Sequence, residues 1–395
     1  RLKKNELYET YEAEINKLLD SDYAEVVPLE NVENADRVWY LPHHYVISKT
    51  KAKIRLVFDC ASRFEGKSLN ERCLQGPDLV NKLLHVLLRF RSHRYAVQAD
   101  VREMYLQIRL PVKDRDALRF LWYRDGKLVH YRMCVHLFGG IWCASSSTYA
   151  LRRVILDNPD VDPIIKDAVM NGMYVDDLIQ SLREVEQVYK IVVDLPLVLQ
   201  TGGFVLTKFA VNDEQLLKVI PIEHRAKEVH SFVPDTTCRA LGVEWKIHED
   251  VFCFEVPEYD VTQLTRRNML RFIASIYDPL GFISPWVNPG KLLLQDAVKL
   301  KLDWDVTVPA NLCTKWETWI KSLAEIKEVR VPRCMKPSPF DNAYIECHIF
   351  SDAGPRIYGA VAILKLINAS GQVLTHMVMS KSHLAPLNKE YTIPR

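Results

Sequence analysis

Two adjacent aspartates, Asp176 and Asp177, interrupt a largely apolar stretch that runs from Met173 to Leu182. Neighbouring carboxylates repel each other and lose hydration when they are buried, so this stretch cannot continue as one buried strand. The pattern predicts strand, tight turn, strand, with the carboxylates at the turn. Such a turn can simply face water, and a Tyr-x-Asp-Asp string arises by chance in roughly a few per cent of chains of this size. Alone, the tetrapeptide is only suggestive.

A third aspartate, Asp100, ends a second apolar segment that begins at Tyr95 and predicts a strand. Two-metal phosphoryl transfer needs carboxylates from separate strands that converge on ions about 3.5–4 Å apart. Mg²⁺ prefers a few carboxylates together with substrate phosphates and water. Asp100 on one strand, with Asp176 and Asp177 on a neighbouring hairpin, meets that requirement. The sequence therefore predicts a site for two Mg²⁺ or Mn²⁺ ions at these three residues.

The overall composition excludes few classes of protein. The 395 residues carry a formal net charge of +2 and 48% hydrophobic residues, as in ordinary globular chains. So small a net charge neither indicates nor excludes a local basic groove. Nine scattered cysteines without a CxxC pair favour a reducing compartment. No apolar run is long enough for a membrane span and no signal peptide is evident. Because the chain starts at Arg1 rather than Met and stops at Pro394-Arg395, we expect a fragment of a longer protein.

The remaining pattern predicts a mixed chain of helices and strands. Helices are predicted within 1–27 and at 78–94, 145–157, 183–201, 262–276, 291–302 and 314–326. Strands are predicted at 38–47, 53–59 and 238–245, with strand pairs at 117–134 and 348–366. Asp125-Gly126 predicts the hairpin turn of the first pair. Asn288-Pro289-Gly290 predicts a turn ahead of the helix at 291–302.

Five segments, taken together, resemble the polyprotein of BEL/Pao long-terminal-repeat retrotransposons. They are YLPHH (40–44), KIRLVFD (53–59), SLNERCLQGPDL (68–79), LGVEW (241–245) and IASIYDPLGFISP (273–285). The resemblance implies an α+β right-hand polymerase with a truncated RNase H-like α/β lobe. It implies N-terminal helices and fingers at 1–95 and a palm at 96–245 with a fingers insertion at 111–143. A helical thumb or connection would follow at 246–335, and the partial RNase H-like segment at 340–395.

The resemblance also assigns functions to matching positions. Asp100, Asp176 and Asp177 match the metal-binding carboxylates of reverse transcriptases, and Tyr105 matches the aromatic residue beneath the incoming sugar. The LGVEW segment corresponds to the primer grip. Without this context, Tyr105 would be interpreted as a core aromatic residue. The remaining matches are substrate-binding residues that contact the template or the triphosphate: Lys53, Arg55, Phe138, Gly139 and Lys208.

The C-terminal part resembles the first hairpin of an RNase H domain, with Asp352 as its first carboxylate. The run at 380–395 resembles the segment immediately before the catalytic Glu of that domain. One carboxylate cannot assemble a metal site, so we expect no complete RNase H centre. The polyprotein of this family also carries an aspartic protease, which needs Asp-Thr/Ser-Gly. Asp235-Thr236-Thr237 lacks the glycine, so we expect no protease site.

The leading hypothesis is an RNA-directed DNA polymerase that transfers dNTP onto a primer 3′-hydroxyl. The implied partners are an RNA or DNA template–primer, dNTP and the rest of a Gag-Pol-like polyprotein, without a membrane and with the oligomeric state left open. The implied location is intracellular, in a cytoplasmic virus-like particle or in the nucleus.

Two alternatives remain at this point. The turn expected as Ser-Ser-Pro is occupied by Trp142-Cys143-Ala144, and Tyr45 stands where the family usually has proline. These departures motivate an inactive or domesticated relic that only binds nucleic acid. A third hypothesis is an unrelated α/β enzyme with a chance YVDD, in which Asp100 and Asp176 lie more than about 10 Å apart, too far to share a metal pair.

Overall fold

The computed structural model describes residues 7–28, 30, 32, 37–47, 54–229, 236–260 and 263–387. The chain divides into two compact units. The first comprises residues 1–81, 101–170 and 195–206, and the second comprises residues 82–100, 171–194 and 207–395. Helices and strands alternate through both units, which confirms the mixed α and β composition. Within the described ranges, no helix has the length and apolar character that crossing a membrane requires.

The described strands are β1 (Ala24–Val26), β2 (His43–Ile47), β3 (Ile54–Phe58), β4 (Tyr95–Val101), β5 (Arg119–Arg124), β6 (Lys127–Met133), β7 (Met173–Tyr174), β8 (Asp177–Leu182), β9 (Leu206–Val211), β10 (Thr237–Ala240), β11 (Val243–Lys246), β12 (Val251–Cys253), β13 (Val331–Pro332), β14 (Tyr344–Ala353), β15 (Ile357–Ile367) and β16 (Val373–Leu384). The α-helices are Tyr8–Asp20, Leu69–Arg72, Leu83–Phe90, Cys143–Leu156, Pro163–Asn171, Val185–Tyr189, Leu195–Gln200, Glu214–Val219, Arg266–Ser275, Ser284–Lys299 and Ala310–Ser322.

The first unit is built around the antiparallel sheet β1-β6-β5 and the hairpin β2-β3. The predicted turn Asp125-Gly126 joins β5 and β6, and both residues have positive φ, as a two-residue hairpin turn requires. Apolar side chains of the sheet and of helix Tyr8–Asp20 form one core cluster. The segment that joins β2 and β3, residues 48–53, lies outside the described residues.

In the described part of the second unit, the strands form sheets with the orders β7-β8-β4-β9, β10-β11-β12-β13 and β14-β15-β16. The predicted strand before Asp100 is confirmed as β4, and MYVDDLIQSL forms strand, turn, strand as β7 and β8. Helix Leu83–Phe90 packs against β8. The sheet that carries the three aspartates is therefore supported on one face by this helix.

Two sequence-based predictions in the second unit are wrong. Residues 238–245 form two strands, β10 and β11, because Leu241 and Gly242 adopt φ of 48° and 86° and reverse the chain. Asn288-Pro289-Gly290 lies inside helix Ser284–Lys299. Pro285 occupies the first turn of this helix, where no backbone donor is needed. Gly290 allows close packing, since a Cβ there would lie 2.2 Å from the Trp319 ring.

A fully buried arginine, Arg333, secures the C-terminal end of helix Leu83–Phe90. Its guanidinium donates to both carboxylate oxygens of Asp250, at 2.6 and 2.7 Å. It also donates to the backbone carbonyls of Phe90, His93 and Arg94. The carbonyls at a helix C-terminus carry partial negative charge, which a cation stabilises.

A second buried arginine, Arg91, links the same helix end to β16. It donates to the carbonyls of Met377 and Val378 at 3.0 and 2.6 Å. The register of β16 against β15 shifts here, because Ala362 pairs with Met379 while Ile363 pairs with Met377. Arg91 therefore satisfies carbonyl groups at an irregular point of the strand.

Candidate active site

Three strands of one sheet bring the predicted carboxylates together. β8 pairs antiparallel with β4 and places Asp177 directly opposite Asp100. Side chains opposite each other in such a pair have Cβ atoms about 4.5–5.5 Å apart. Asp176 precedes Asp177 in the turn between β7 and β8. The hypothesis of a chance YVDD motif required well-separated carboxylates, and this register contradicts it.

The turn that carries Asp176 has a strained backbone at Val175. Tyr174 pairs with Asp177, so Val175 and Asp176 form a two-residue turn. Val175 has φ of 54°, a conformation that β-branched residues rarely adopt. Hairpin turns of this length usually use Asn or Gly at such positions. Strain of this kind costs about 1–3 kcal/mol and is concentrated at functional sites.

Burial and neighbouring negative charge both act on the carboxylates of the site. Burial is the main cause that raises the pKa of Asp177 to about 6; the carboxylates of Asp176 and Asp100 contribute in the same direction, and Lys208 opposes them. Burial also raises the pKa of Asp176, with Asp100 acting in the same direction and Lys208 against it. The site therefore favours either a proton or an added cation.

Lys208, predicted to bind the triphosphate, lies on β9 and contacts Asp100. Its Nζ donates to Asp100 Oδ2 at 2.8 Å. Within the described ranges, no group of three or more His, Cys, Asp and Glu side chains has the arrangement of a metal site. The three aspartates thus do not form a ready-made cage, and the Lys208 ammonium occupies one face of Asp100.

The hairpin β10-β11 borders the carboxylates through a polar cavity of about 430 Å³. Its lining includes Asp100, Asp177, Lys208, Arg239 and Glu244. Burial and the neighbouring Glu255 raise the pKa of Glu244, which Arg239 opposes.

Sequence reasoning missed one link between this hairpin and the site. Gln98 lines the same cavity, and its Nε2 donates to the carbonyl of Arg239 at 2.9 Å. Gln98 lies two residues before Asp100 on β4, so both side chains point to the same face of the sheet. This period of two was the signal that could have identified it.

Other predicted residues lie in the first unit. The ring of Tyr105 packs on Phe138, with centroids 4.8 Å apart. Gly139 has φ of 116°, and a Cβ there would lie 2.8 Å from the Phe58 carbonyl oxygen. Arg55 is exposed on β3, whereas Lys53 lies outside the described residues. The structure brings Tyr105, Phe138 and Gly139 together within this unit.

Asn70, which the sequence analysis did not single out, holds the segment after Phe138 in place. Its side chain donates to the carbonyl of Gly139 and accepts from the backbone N–H of Ile141, both at 3.1 Å. One amide side chain therefore bridges the backbone on both sides of Gly140. Its place in the SLN string of the resemblance was the available signal.

Trp142, the main departure from the family pattern, packs against the core cluster of the first unit. Its ring covers Gly140, where a Cβ would lie 2.7 Å from a ring carbon. The adjacent Cys143 donates its thiol to the carbonyl of Leu137. The bulk of Trp142 is therefore accommodated by packing on this core.

Asp352 lies on β14 opposite Gly359 and is exposed. It lines a second, larger cavity of about 660 Å³ together with apolar residues such as Phe282, Phe350 and Tyr358. The predicted run before the catalytic Glu falls partly on β16, and its residues 388–395 lie outside the described part of the chain.

Comparison with known proteins identifies the C-terminal third. The family model of the Pao retrotransposon-like RNaseH-like domain matches residues 265–395. This third of the chain is therefore similar to a Pao retrotransposon-like domain. The predicted similarity to a Pao-type retrotransposon is thereby confirmed. No curated protein matches the chain.

Solved structures resemble the whole chain, including the part before the Pao-like domain. A foamy viral protease-reverse transcriptase dRH in complex with double-stranded DNA has a TM-score of 0.59 at 12% identity, over 95% of this chain and 56% of that one. The same kind of protein with an RNA/DNA hybrid gives 0.57 at 13%, over 94% and 42%. A further complex with dsDNA gives 0.53 at 14%, over 96% and 66%. The chain thus spans between about two fifths and two thirds of these proteins, and its mixed fold matches retroviral reverse transcriptase structures.

Proposed function

We propose that this chain is the reverse transcriptase region of a Pao-type retrotransposon, which adds dNTP to a primer 3′-hydroxyl under the direction of an RNA template. The observation that carries the proposal is the cross-strand pair of Asp100 and Asp177 beside the strained turn at Val175 and Asp176. The likeness to proteins described in complex with double-stranded DNA and with an RNA/DNA hybrid supports nucleic acid as the ligand.

The chemistry of the donor set fits a hard divalent cation. Carboxylate oxygens are the ligands that Mg²⁺ prefers. The raised pKa of Asp177 indicates that the site lacks positive charge. Asp100, Asp176 and Asp177 would hold two Mg²⁺ or Mn²⁺ ions. When bound, such ions would activate the primer hydroxyl and neutralise charge on the triphosphate.

The side chains of the chain itself would bind and orient the substrates. Lys208, an ammonium at 2.8 Å from Asp100, would exchange that contact for the triphosphate. Arg55 and Lys53 would contact the same group, because basic side chains suit phosphate. Tyr105, held by Phe138, would lie beneath the incoming sugar. Proton transfer is not required of the three aspartates in this scheme.

The proposed layout assigns fingers to 1–95 and 111–143, and the palm to the rest of 96–245. A thumb or connection would occupy 246–335, and a truncated RNase H lobe 340–395. Asp352 would be a remnant of the first carboxylate of that lobe, without a function of its own in this chain.

Primer extension on a primed RNA template with Mg²⁺ or Mn²⁺ tests the proposal. Wild-type protein should incorporate dNTP, and Asp176→Asn should abolish incorporation. Asp303→Asn is a matched control at an exposed aspartate and should leave extension unchanged. Full activity of Asp176→Asn would contradict the assignment of this residue, and an inactive wild type would contradict the function.

The same assay separates a polymerase from a catalytically silent protein that only binds nucleic acid. A silent protein would bind template–primer without extending it. If the turn at 142–144 were the cause, the triple variant Trp142→Ser, Cys143→Ser, Ala144→Pro would restore extension. Because Trp142 packs against the core cluster of the first unit, we expect this triple variant to lose stability instead.

A further inference from the structure

The loop Ile276–Ile283 contacts the hairpin β10-β11 at its turn. The Tyr277 hydroxyl donates to the carbonyl of Leu241 at 2.9 Å. The Tyr277 ring lies against Gly242, where a Cβ would be 2.9 Å from its Cε1 atom. Leu241 adopts φ of 48°, which is uncommon for a residue other than glycine. A strained two-residue turn is thus held by one tyrosine, through a hydrogen bond and a ring contact.

The same hairpin is tied to the strand of Asp100 at its other end. Gln98 on β4 donates to the carbonyl of Arg239 on β10. Gln98 lies two residues before Asp100 on the same strand, so both side chains point to the same face of the sheet. The Leu241–Gly242 turn therefore has fixed contacts on the side of the carboxylates and on the side of the loop.

Tyr277 is itself held on a well-ordered loop. The carboxylate of Asp278 accepts from the backbone N–H groups of Phe282 and Ile283 at 2.9 and 2.8 Å. Ser380 on β16 donates its N–H to the carbonyl of Leu280 and its hydroxyl to that of Gly281. The Tyr277 side chain nevertheless stays 44% exposed. A rigid loop thus presents a partly open aromatic surface next to the turn.

We propose that Tyr277 is a positioning residue that, by bracing the Leu241–Gly242 turn, fixes the terminal nucleotide of the primer beside the three aspartates. This inference rests on the proposed function. The turn and the open part of the ring form the surface on which a sugar and a base can pack, since aromatic faces stack nucleobases. Tyr277 forms part of this surface and holds the turn in place, and it takes no part in the chemistry.

Tyr277→Phe is the decisive variant, because it removes the hydroxyl and keeps the ring. Tyr344→Phe, at an exposed tyrosine on β14, is the matched control. Two measurements are needed: primer extension, and the fluorescence of 2-aminopurine placed at the primer 3′ end. Loss of one neutral hydrogen bond should lower kcat for extension about three- to tenfold. The KM for dNTP and the overall Kd for template–primer should stay within about twofold, and the 2-aminopurine signal should change.

A purely structural role would instead shift the unfolding midpoint and all kinetic constants together. Gly242→Ala adds a second test. The added methyl group should clash with the Tyr277 ring, so Tyr277→Ala should relieve part of the loss of primer extension that Gly242→Ala causes. If the losses from the two substitutions simply add, the contact is not supported. If wild type extends primers and Tyr277→Phe is indistinguishable from it in both measurements, the inference is wrong and the proposed function stands. If wild type extends nothing, the proposed function fails. The 2-aminopurine signal then decides alone: a change supports the positioning of the primer end, and no change overturns it.

Discussion

Two charged residues of the second unit, Arg333 and Asp177, lie in opposite surroundings: the guanidinium of Arg333 meets an opposite charge, whereas the carboxylate of Asp177 lies beside like charges. At Arg333, the buried guanidinium meets both oxygens of Asp250 and three backbone carbonyls. At Asp177, two further carboxylates add repulsion, and the Lys208 ammonium reduces it. Arg333 holds helix Leu83–Phe90 in place, and this helix supports β8, which begins at Asp177.

The difference shows how a structural charge and a functional charge are distinguished. A buried charge is stable when opposite charge and hydrogen bonds surround it. Burial beside like charge is costly, and such groups are concentrated where a protein binds a cation or performs catalysis. Arg333 and Asp177 should therefore respond in opposite ways to the loss of their charge.

The largest loss of stability is expected when the ion pair of Arg333 with Asp250 is removed. Arg333→Met leaves Asp250 without its charged partner and removes the donors to the helix end, so the free energy of unfolding should fall by about 3–5 kcal/mol. Urea unfolding followed by circular dichroism measures this. Arg267→Met is the control, because Arg267 pairs with Asp305 at 2.7 and 3.0 Å but both side chains are largely exposed. The unfolding midpoint of Arg267→Met should stay near that of wild type. An equally small change for Arg333→Met would show that the buried pair stabilises the chain no more than the exposed one.

Removing the charge of Asp177 should lower activity without lowering stability. Loss of a group that merely orients a metal ligand costs about 10–100-fold, so Asp177→Asn should reduce primer extension by more than about 100-fold. The same variant should not lose stability at pH 7, because it removes a repelled carboxylate. Extension and urea unfolding on one preparation give both values. A stable, fully active Asp177→Asn protein would show that the site is not catalytic.

The pH dependence of stability provides a third test. The pKa of Asp177 is raised to about 6 in the folded chain, above its ordinary value of 3.8. Between these values the folded state binds the proton and the unfolded state does not, so stability should fall as pH rises from about 4 to about 6. The loss should be about 3 kcal/mol, since each pKa unit corresponds to about 1.4 kcal/mol. Subtracting the Asp177→Asn curve from that of wild type isolates this slope, and a flat difference would contradict the raised pKa.

The sequence predicted the two strands that carry Asp100 and Asp177. Apolar runs that end in carboxylates are visible in one dimension, and both strands formed where the pattern placed them. The register that sets Asp177 opposite Asp100 was not predictable, because it depends on pairing between strands far apart in the chain. Val175 shows the same limit, since its side chain favours a strand and the turn imposes a positive φ.

No sequence pattern predicted the pairing of Arg333 with Asp250. Arg333 and Asp250 are single charged residues in polar surroundings, and such residues are usually exposed. The burial of Arg333 follows from the packing of β12 and β13 beside the end of a distant helix. Tertiary packing likewise overrode local preference at Pro289 and Gly290, where the Trp319 ring needs a residue without a side chain.

The smallest effect on the free energy of unfolding is expected from substitution of Lys208. Lys208 pairs with Asp100 at 2.8 Å, but 63% of its side chain is exposed. Exposed pairs contribute little, so Lys208→Met should cost less than about 1 kcal/mol. Because Lys208 lowers the pKa of Asp177, its loss should move the pH window of instability to higher values. Lys218→Met, in the exposed pair with Glu214, should leave that window unchanged. If Lys208→Met lowered the free energy of unfolding as much as Arg333→Met does, Lys208 would be a structural counter-ion. The proposal that Lys208 exchanges its contact with Asp100 for the triphosphate would then be wrong.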